Sequence, residues 1–200
     1  MGSQGELLSQ RIEESTFCCI DFETTGLDPE RDEIIEIGAV KSKYFDLLDR
    51  FETLLRPIKR IPIKITKLTG IDMDMVMDKP TLLEVRNDFL EFLNGHILVE
   101  HSRGLFDLRF FKYHFKPEKT YFYINNLEIA KRLFPMWERY NLISVAKKLN
   151  INVENTSHHK AIDDAKVTML CLIRFFKTLN ERGYHYISDI HKEGLLHVLK

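Results

Sequence analysis

The sequence predicts a single α/β domain in which helices flank a mixed β-sheet. Three strand-like runs come first, at residues 17–20, 34–44 and 50–55, and only short links separate them. Short links favour antiparallel neighbours, so we expect these runs to form a meander. Two further apolar runs, at 97–99 and 121–124, alternate with helical patterns. Such alternation is typical of strands that helices cover on the faces of a sheet.

The strand assignments depend on apolar runs and on side-chain alternation. The run at residues 17–20 is short and uniformly apolar, as expected of a buried strand. The second run alternates, which places Ile35, Ile37 and Ala39 on one face. Pro57 follows the third run and interrupts the strand pattern.

The helical segments are predicted from capping residues and from apolar residues at helical spacing. Gly70 ends a short helix at residues 65–71, and Thr81 caps an amphipathic helix that includes Phe89. The last long helix begins near Lys160 and carries a continuous apolar stripe. Further helices are expected around Phe106, at residues 127–133 and 142–149, and in the tail after Ser188.

Composition is that of an ordinary soluble globular protein with one sizeable core. The 200 residues are 44% apolar and 30% charged, and the net charge is −1. No overall basic field therefore indicates nucleic-acid binding, although a local patch or bound metal ions can neutralise phosphates. We expect a lead-in at residues 1–16, the main domain at 17–180, and a helical tail at 181–200 packed on that domain.

The chain lacks the usual signals for secretion or membrane insertion. The three cysteines, Cys18, Cys19 and Cys171, have no metal-site spacing, and a reduced, structural role is expected of them. The first residues contain no apolar signal core, and no apolar run approaches the length of a membrane span. A cytoplasmic protein with no membrane partner is predicted.

The first candidate functional feature is an acid pair directly after the first strand. Asp21 and Glu23 are two residues apart, so on a strand both side chains project from one face. Adjacent carboxylates repel each other, and a shared proton or a divalent cation relieves that repulsion. The alternative is a solvated strand edge, which is how most such pairs occur.

Two more acids and a histidine follow at separations that allow them to join this pair. Asp107 lies early in the helix after residues 97–99, where stabilisation of the helix dipole is the alternative role. His159 and Asp164 would lie about 140° apart on a continuous helix. They converge only if His159 belongs to the preceding loop, and a solvated loop histidine is the alternative.

Four carboxylates and one histidine fit a site for two hard cations about 4 Å apart, as used for in-line phosphodiester cleavage. Oxygen ligands without thiolates favour Mg²⁺ or Mn²⁺ over zinc. A histidine with a pKa near neutrality can accept the proton of an attacking water.

These residues stand in three short motifs, Asp21-Phe22-Glu23-Thr24-Thr25-Gly26, Phe106-Asp107 and His159-Lys160-Ala161-Ile162-Asp163-Asp164-Ala165. The motifs resemble those of the DEDDh 3′–5′ exonucleases. Within that family they resemble the bacterial proofreading group, which is the epsilon subunit of DNA polymerase III and its relatives. The resemblance runs from about Phe17 to Phe176, and it implies a ribonuclease H-like fold and an exonuclease domain at residues 17–180.

The resemblance also implies a role for each motif residue. Asp21 would contact both cations, Glu23 and Asp164 would hold the one that carries the attacking water, and Asp107 would hold the other through water. His159 would be the general base. Asp164 is preferred to Asp163 because the motif places its acid directly before Ala165. The implied substrate contacts are Thr24, Thr25, Leu27, Gly70, Ile71 and Phe106, with core packing as the alternative for Leu27, Ile71 and Phe106.

Two departures from the family pattern stand near the second motif. The family carries His-Asn before the acid, whereas His101-Ser102-Arg103 occupies that stretch here. An aspartate found before a later helix is replaced by Asn125-Asn126.

The predicted function is a metal-dependent 3′–5′ exonuclease that releases nucleoside 5′-monophosphates from single-stranded DNA. The alternatives are the same chemistry on RNA, and a non-catalytic nucleic-acid or polymerase-binding module that would have lost a metal acid. Expected partners are single-stranded or frayed 3′ ends of DNA, RNA ends under the alternative, and a DNA polymerase subunit. A basic cluster is predicted to be either a strand-binding rim or a solvated face; it comprises Arg56, Lys59, Arg60, Lys64 and Lys67.

Overall fold

The computed structural model describes residues 4–43, 45–153 and 160–199, and their strands form one six-stranded sheet in the order β3-β2-β1-β4-β5-β6. The strands are β1 (Thr16–Thr24), β2 (Ile34–Lys43), β3 (Asp46–Leu54), β4 (Ile97–Glu100), β5 (Tyr121–Asn125) and β6 (His197–Leu199).

The predicted mixed sheet is confirmed. β1, β2 and β3 form the expected antiparallel meander, while β4 runs parallel to both β1 and β5. β3 begins at Asp46, four residues before the predicted start, because Asp46 to Asp49 extend the pairing with β2. β6 was not predicted. Its three residues follow Gly194 closely and pair antiparallel with β5, a contact that a short sequence run does not reveal.

The helices cover both faces of this sheet. Their bounds are α1 (Gln4–Ser9), α2 (Ile63–Thr69), α3 (Met73–Val76), α4 (Leu82–Leu93), α5 (Phe106–Phe110), α6 (Asn126–Leu133), α7 (Leu142–Lys148), α8 (Ala161–Glu181) and α9 (Ile187–Lys192). A 3₁₀ turn spans Ile12–Glu14, and a π-helical turn, Phe111–Phe115, continues α5. Within the described ranges, no helix has both the length and the apolar character needed to cross a membrane.

The side-chain alternation of β1 separates two apolar cores. Phe17 and Cys19 pack with α6, α7 and α8 on one face of the sheet. Cys18, Ile20 and Phe22 pack with α4 and α5 on the other face. Because successive side chains alternate, Asp21 and Glu23 must continue the face that α8 covers. All three cysteines are buried and free.

A glycine on β2 lets the first turn of α8 approach this face closely. Gly38 is paired with Asp21, and a Cβ built on Gly38 would lie 2.1 Å from the backbone carbon of Ala161. Any larger residue would therefore displace the start of α8. The sequence places the helix over the acid pair by leaving this position without a side chain.

Candidate active site

The acid pair lies at the C-terminal end of β1, on the face that α8 covers. Register pairs Asp21 with Gly38 and Glu23 with Glu36. Both carboxylates are partly exposed, whereas the flanking Phe22 is buried in the opposite core. The strand therefore presents both acids, partly exposed, on the face that α8 covers, while its apolar side chains hold it in place.

Asp164 joins the pair from the first turn of α8. Ligand oxygens of Asp21, Glu23 and Asp164 all lie within 4.8 Å of one another. Asp163 precedes Asp164 in the same turn but does not belong to this group. The structure thus brings together three of the four predicted acids and distinguishes Asp164 from its neighbour.

Asp107 approaches from the other side of β1. It is buried in α5, and its Oδ1 accepts a hydrogen bond of 2.9 Å from the backbone N–H of Phe22, between the two strand acids. Among the described residues, the three-carboxylate group does not include Asp107. Its charge still acts on the site, because the charge of Asp107 raises the pKa of Asp21 more than that of any other acid does.

Crowding makes these acids hard to ionise together. Burial raises the pKa of Asp21 well above its usual range, and the charges of Asp107 and Asp164 raise it further. Burial, then the charges of Glu36 and Asp164, raise the pKa of Glu23 to about 8. Burial raises the pKa of Asp107 to about 7, although the hydrogen bond from Phe22 opposes the shift. Such a cluster is stable when ionised only if a positive charge neutralises it.

The donor set fits a hard divalent cation. The converging ligand atoms are carboxylate oxygens, and the spacing of Asp21, Glu23 and Asp164 lets one ion contact all three. Thiolates are absent from the group, so the ligands favour oxygen-seeking cations.

Thr24 and Thr25 are buried where β1 ends, and their hydroxyls hold the turn that follows. The Thr24 hydroxyl donates to the carbonyl of Gly26, and the Thr25 hydroxyl accepts the N–H of Glu33 at 2.9 Å. Leu27 extends from this turn and is 78% exposed, so core packing does not explain it.

The remaining predicted substrate contacts lie in more ordinary surroundings. Gly70 has a φ of +76° and ends α2, where a residue without Cβ is favoured. Ile71 is buried in a small core with Ile61 and Ile65. Phe106 is half-buried, with its ring centroid 4.9 Å from that of Phe110. His159, the predicted base, lies outside the described residues.

The departures near the second motif form one hydrogen-bonded unit. The Ser102 hydroxyl accepts the N–H of Phe106 at 2.8 Å, at the start of α5. The Asn125 amide donates to the Ser102 carbonyl at 2.9 Å and to Glu100 at 3.3 Å. An aspartate at position 125 would oppose both acceptors, so asparagine is the residue type that suits this arrangement.

Sequence analysis missed two buried carboxylates beside the site, Glu36 and Glu100. Each interrupts or ends an otherwise apolar strand, β2 or β4. A buried acid in such a run is uncommon, and that signal was available in the sequence.

Comparisons with known proteins agree with this geometry. The RNase_T family model, described as exonuclease, matches residues 18–172. The chain is 40% identical over 185 residues to DNA polymerase III PolC-type of Thermotoga petrophila, and 36% identical over 186 residues to that of Bacillus subtilis. Each match covers 90% of this chain, which spans only 13% of the length of these curated relatives.

Solved structures share the fold. Exonuclease X in complex with 5′ overhanging duplex DNA has a TM-score of 0.68 and 26% identity, covering 82% of this chain and 93% of that chain. The nuclease domain of 3′hExo, a DEDDh family member bound to rAMP, has a TM-score of 0.71 and 21% identity, covering 84% and 95%. The predicted ribonuclease H-like fold class is confirmed.

Proposed function

The chain belongs to the RNase_T exonuclease family, and on this premise we propose that it is a metal-dependent 3′–5′ exonuclease acting on single-stranded DNA. It would hydrolyse phosphodiester bonds from the 3′ end and release nucleoside 5′-monophosphates. The observation that carries the proposal is the convergence of Asp21, Glu23 and Asp164 within 4.8 Å at the end of β1. Family membership confirms the predicted exonuclease class.

We assign two divalent cations, Mg²⁺ or Mn²⁺, to the acidic cluster. Asp21 would contact both, Glu23 and Asp164 would hold one, and Asp107 would help to hold the other. When bound, the ions supply a lowered pKa for the attacking water and charge stabilisation at the leaving oxygen. The raised pKa of Glu23, about 8, supports this assignment, because a cation would favour the ionised form.

The other residues of the chain would bind the strand end and move a proton. His159 is proposed as the general base, on the strength of its motif alone. Leu27 is proposed to contact the terminal nucleotide, since it projects from the turn after the acids. Thr24, Thr25, Gly70, Ile71 and Phe106 remain proposed substrate contacts, of which the threonines also fix the turn.

DNA is the proposed substrate because the Thermotoga petrophila and Bacillus subtilis relatives, 40% and 36% identical, are named DNA polymerase III PolC-type. A DNA polymerase is accordingly the proposed partner, and a cytoplasmic location remains a prediction. RNA is the alternative outcome of the test. A non-catalytic module is disfavoured, because that alternative predicts a missing metal acid and all four are present.

The test is a gel assay on 5′-labelled DNA and RNA oligonucleotides of one sequence, with Mg²⁺, Mn²⁺ or chelator. We expect a DNA ladder that shortens from the 3′ end and disappears with chelator or with Asp21→Ala. His159→Ala should leave the protein folded and greatly slow the ladder. Faster cleavage of RNA would replace the DNA proposal, and no cleavage of either polymer by folded wild type with metal would reject the enzyme.

A further inference from the structure

Two buried acids outside the proposed ligand set each contact the beginning of a helix that carries a proposed ligand. Glu36 is 6% exposed, and its Oε2 accepts the N–H of Ala161 at 3.0 Å. Ala161 is the first residue of α8, three positions before Asp164. Glu100 is fully buried, and its Oε2 accepts the N–H of Leu108 at 3.2 Å, directly after Asp107 in α5.

We propose that Glu36 and Glu100 are positioning residues, which hold the starts of α8 and α5 so that Asp164 and Asp107 face the acid pair of β1. The inference rests on the proposed metal-dependent hydrolysis and adds two residues to it. Neither acid belongs to the three-carboxylate group found among the described residues. They act through the backbone of the helices and not on the substrate.

The surroundings of Glu36 favour this role over a structural accident. Register places Glu36 beside Glu23 on the same face of the sheet, a costly position for an acid. Two residues along β2, Gly38 leaves room for the backbone of Ala161. The Glu36 side chain therefore holds the start of α8, and the lack of a side chain at Gly38 leaves space for it. Without the Glu36 oxygen, the N–H of Ala161 would be one of the unpaired donors at the start of α8.

The surroundings of Glu100 lead to the same conclusion on α5. Its second oxygen accepts the Asn125 amide at 3.3 Å, so both oxygens have partners. Asp107 is also anchored from the opposite side, by the N–H of Phe22. Glu100 and Phe22 together fix the backbone and the carboxylate of the turn that carries Asp107. Removal of a group that hydrogen-bonds a metal ligand typically changes metal affinity or activity by about 10- to 100-fold, and we expect the same scale for groups that hold the backbone beside a ligand.

Two conservative variants of Glu36 separate positioning from a direct charge effect. E36Q keeps an oxygen at the same reach but loses the charge, whereas E36D keeps the charge but is one methylene too short. Positioning predicts that E36D weakens Mn²⁺ binding by about 10- to 100-fold and lowers kcat similarly, while E36Q stays close to wild type. The KM for the oligonucleotide should change little in both variants, since Glu36 is not proposed to contact the substrate.

At Glu100 the informative variant is E100D, because a glutamine amide there would face the amide nitrogen of Asn125. E100D should weaken Mn²⁺ binding as E36D does. The matched control is E84D on α4, where Glu84 accepts the N–H of Thr81 at 2.6 Å at the start of a helix that carries no proposed ligand. E84D should lower the melting temperature slightly and leave Mn²⁺ affinity and kcat unchanged.

Mn²⁺ affinity is measured by calorimetry without substrate, beside the DNA cleavage assay. E36D and E100D that bind Mn²⁺ like wild type would overturn the inference, as would an E36Q that loses more affinity than E36D. Those results leave the proposed function standing if wild type binds Mn²⁺ and cleaves DNA. A folded wild type that neither binds Mn²⁺ nor cleaves would instead reject the proposed function.

Discussion

The acids on β1 and the acids on the helices differ in what fixes the direction of their side chains. Asp21 and Glu23 share a face because strand side chains alternate, and the burial of Phe22 holds that alternation in register. Asp107 and Asp164 come from helices on opposite faces of the sheet. Their directions depend on contacts with residues far away in the sequence.

The difference teaches that the two halves of the site should respond differently to mutation. The strand half is part of the central sheet, where Asp21 and Glu23 are both paired with residues of β2. The helix half depends on a few contacts at helix starts, such as Ala161 with Gly38 and with Glu36. Small changes at those contacts should move one carboxylate while leaving the fold intact.

The largest expected effect distinguishes the two adjacent aspartates of α8. Asp164→Asn should reduce DNA cleavage by about a thousandfold, because a metal ligand supplies several kcal/mol of transition-state stabilisation. Asp163→Asn should remain within about tenfold of wild type, since the three-carboxylate group excludes it. Steady-state kinetics on one DNA oligonucleotide checks both, and the reverse order would show that the cluster is wrongly assigned.

A smaller effect should follow from Gly38→Ala, which leaves every acid in place. The added methyl group would lie 2.1 Å from the backbone of Ala161, so α8 must shift. A displacement of about 1 Å at a reacting group can cost about a hundredfold in rate. We expect that loss in kcat with weaker Mn²⁺ binding and a cooperative melt. Wild-type kcat in a folded variant would contradict the proposed dependence of the helix half on this contact.

The acid cluster should also make stability depend on pH and metal. The folded pKa of Glu23, about 8, exceeds the ordinary value of about 4, so the folded state binds more protons between these values. Glu23 therefore makes its full contribution to the free energy of unfolding below about pH 4, and this contribution is lost as pH rises through about 8. The partly buried His96, His101 and His114 oppose this slope, because partial burial lowers the pKa of each.

The histidines are the same in wild type and in Glu23→Gln, so their contribution cancels when the unfolding free energies of the two proteins are subtracted. In chelator, the unfolding free energy of wild type should fall relative to that of Glu23→Gln as pH rises from about 5 to 8. Saturating Mg²⁺ should reduce this relative loss, since the ion favours the carboxylate. Denaturant titrations at several pH values measure it. A difference that is independent of pH would mean that Glu23 ionises normally.

The smallest effect concerns the basic cluster between β3 and the turn at Gly70. Lys64 and Lys67 are exposed on α2, next to the turn at Gly70 and Ile71. If they contact phosphates, replacing both with Ala should lower the salt dependence of strand binding by about 0.7 per contact in the log–log slope. Fluorescence anisotropy with a labelled oligonucleotide measures this slope. An unchanged slope would assign the two lysines to a solvated face.

Sequence reasoning predicted the parts that local patterns determine. The alternation around Asp21 and the meander of β1 to β3 follow from short-range rules, and the structure has both. The approach of Asp107 to Phe22 joins residues 85 positions apart, and that of Glu36 to Ala161 joins residues 125 positions apart. Periodicity contains no information about such contacts. The resemblance to the family motif placed Asp107 among the four metal acids, but it did not reveal the hydrogen bond from Phe22.

The central claim is that strand-borne and helix-borne acids form one cation site. The most direct test is a crystal of the wild-type chain soaked in Mn²⁺, with anomalous scattering used to locate the metal. We predict Mn²⁺ between the carboxylates of Asp21, Glu23 and Asp164, and loss of that peak in Asp164→Asn. Mn²⁺ bound elsewhere, or a peak that persists unchanged in Asp164→Asn, would contradict the account.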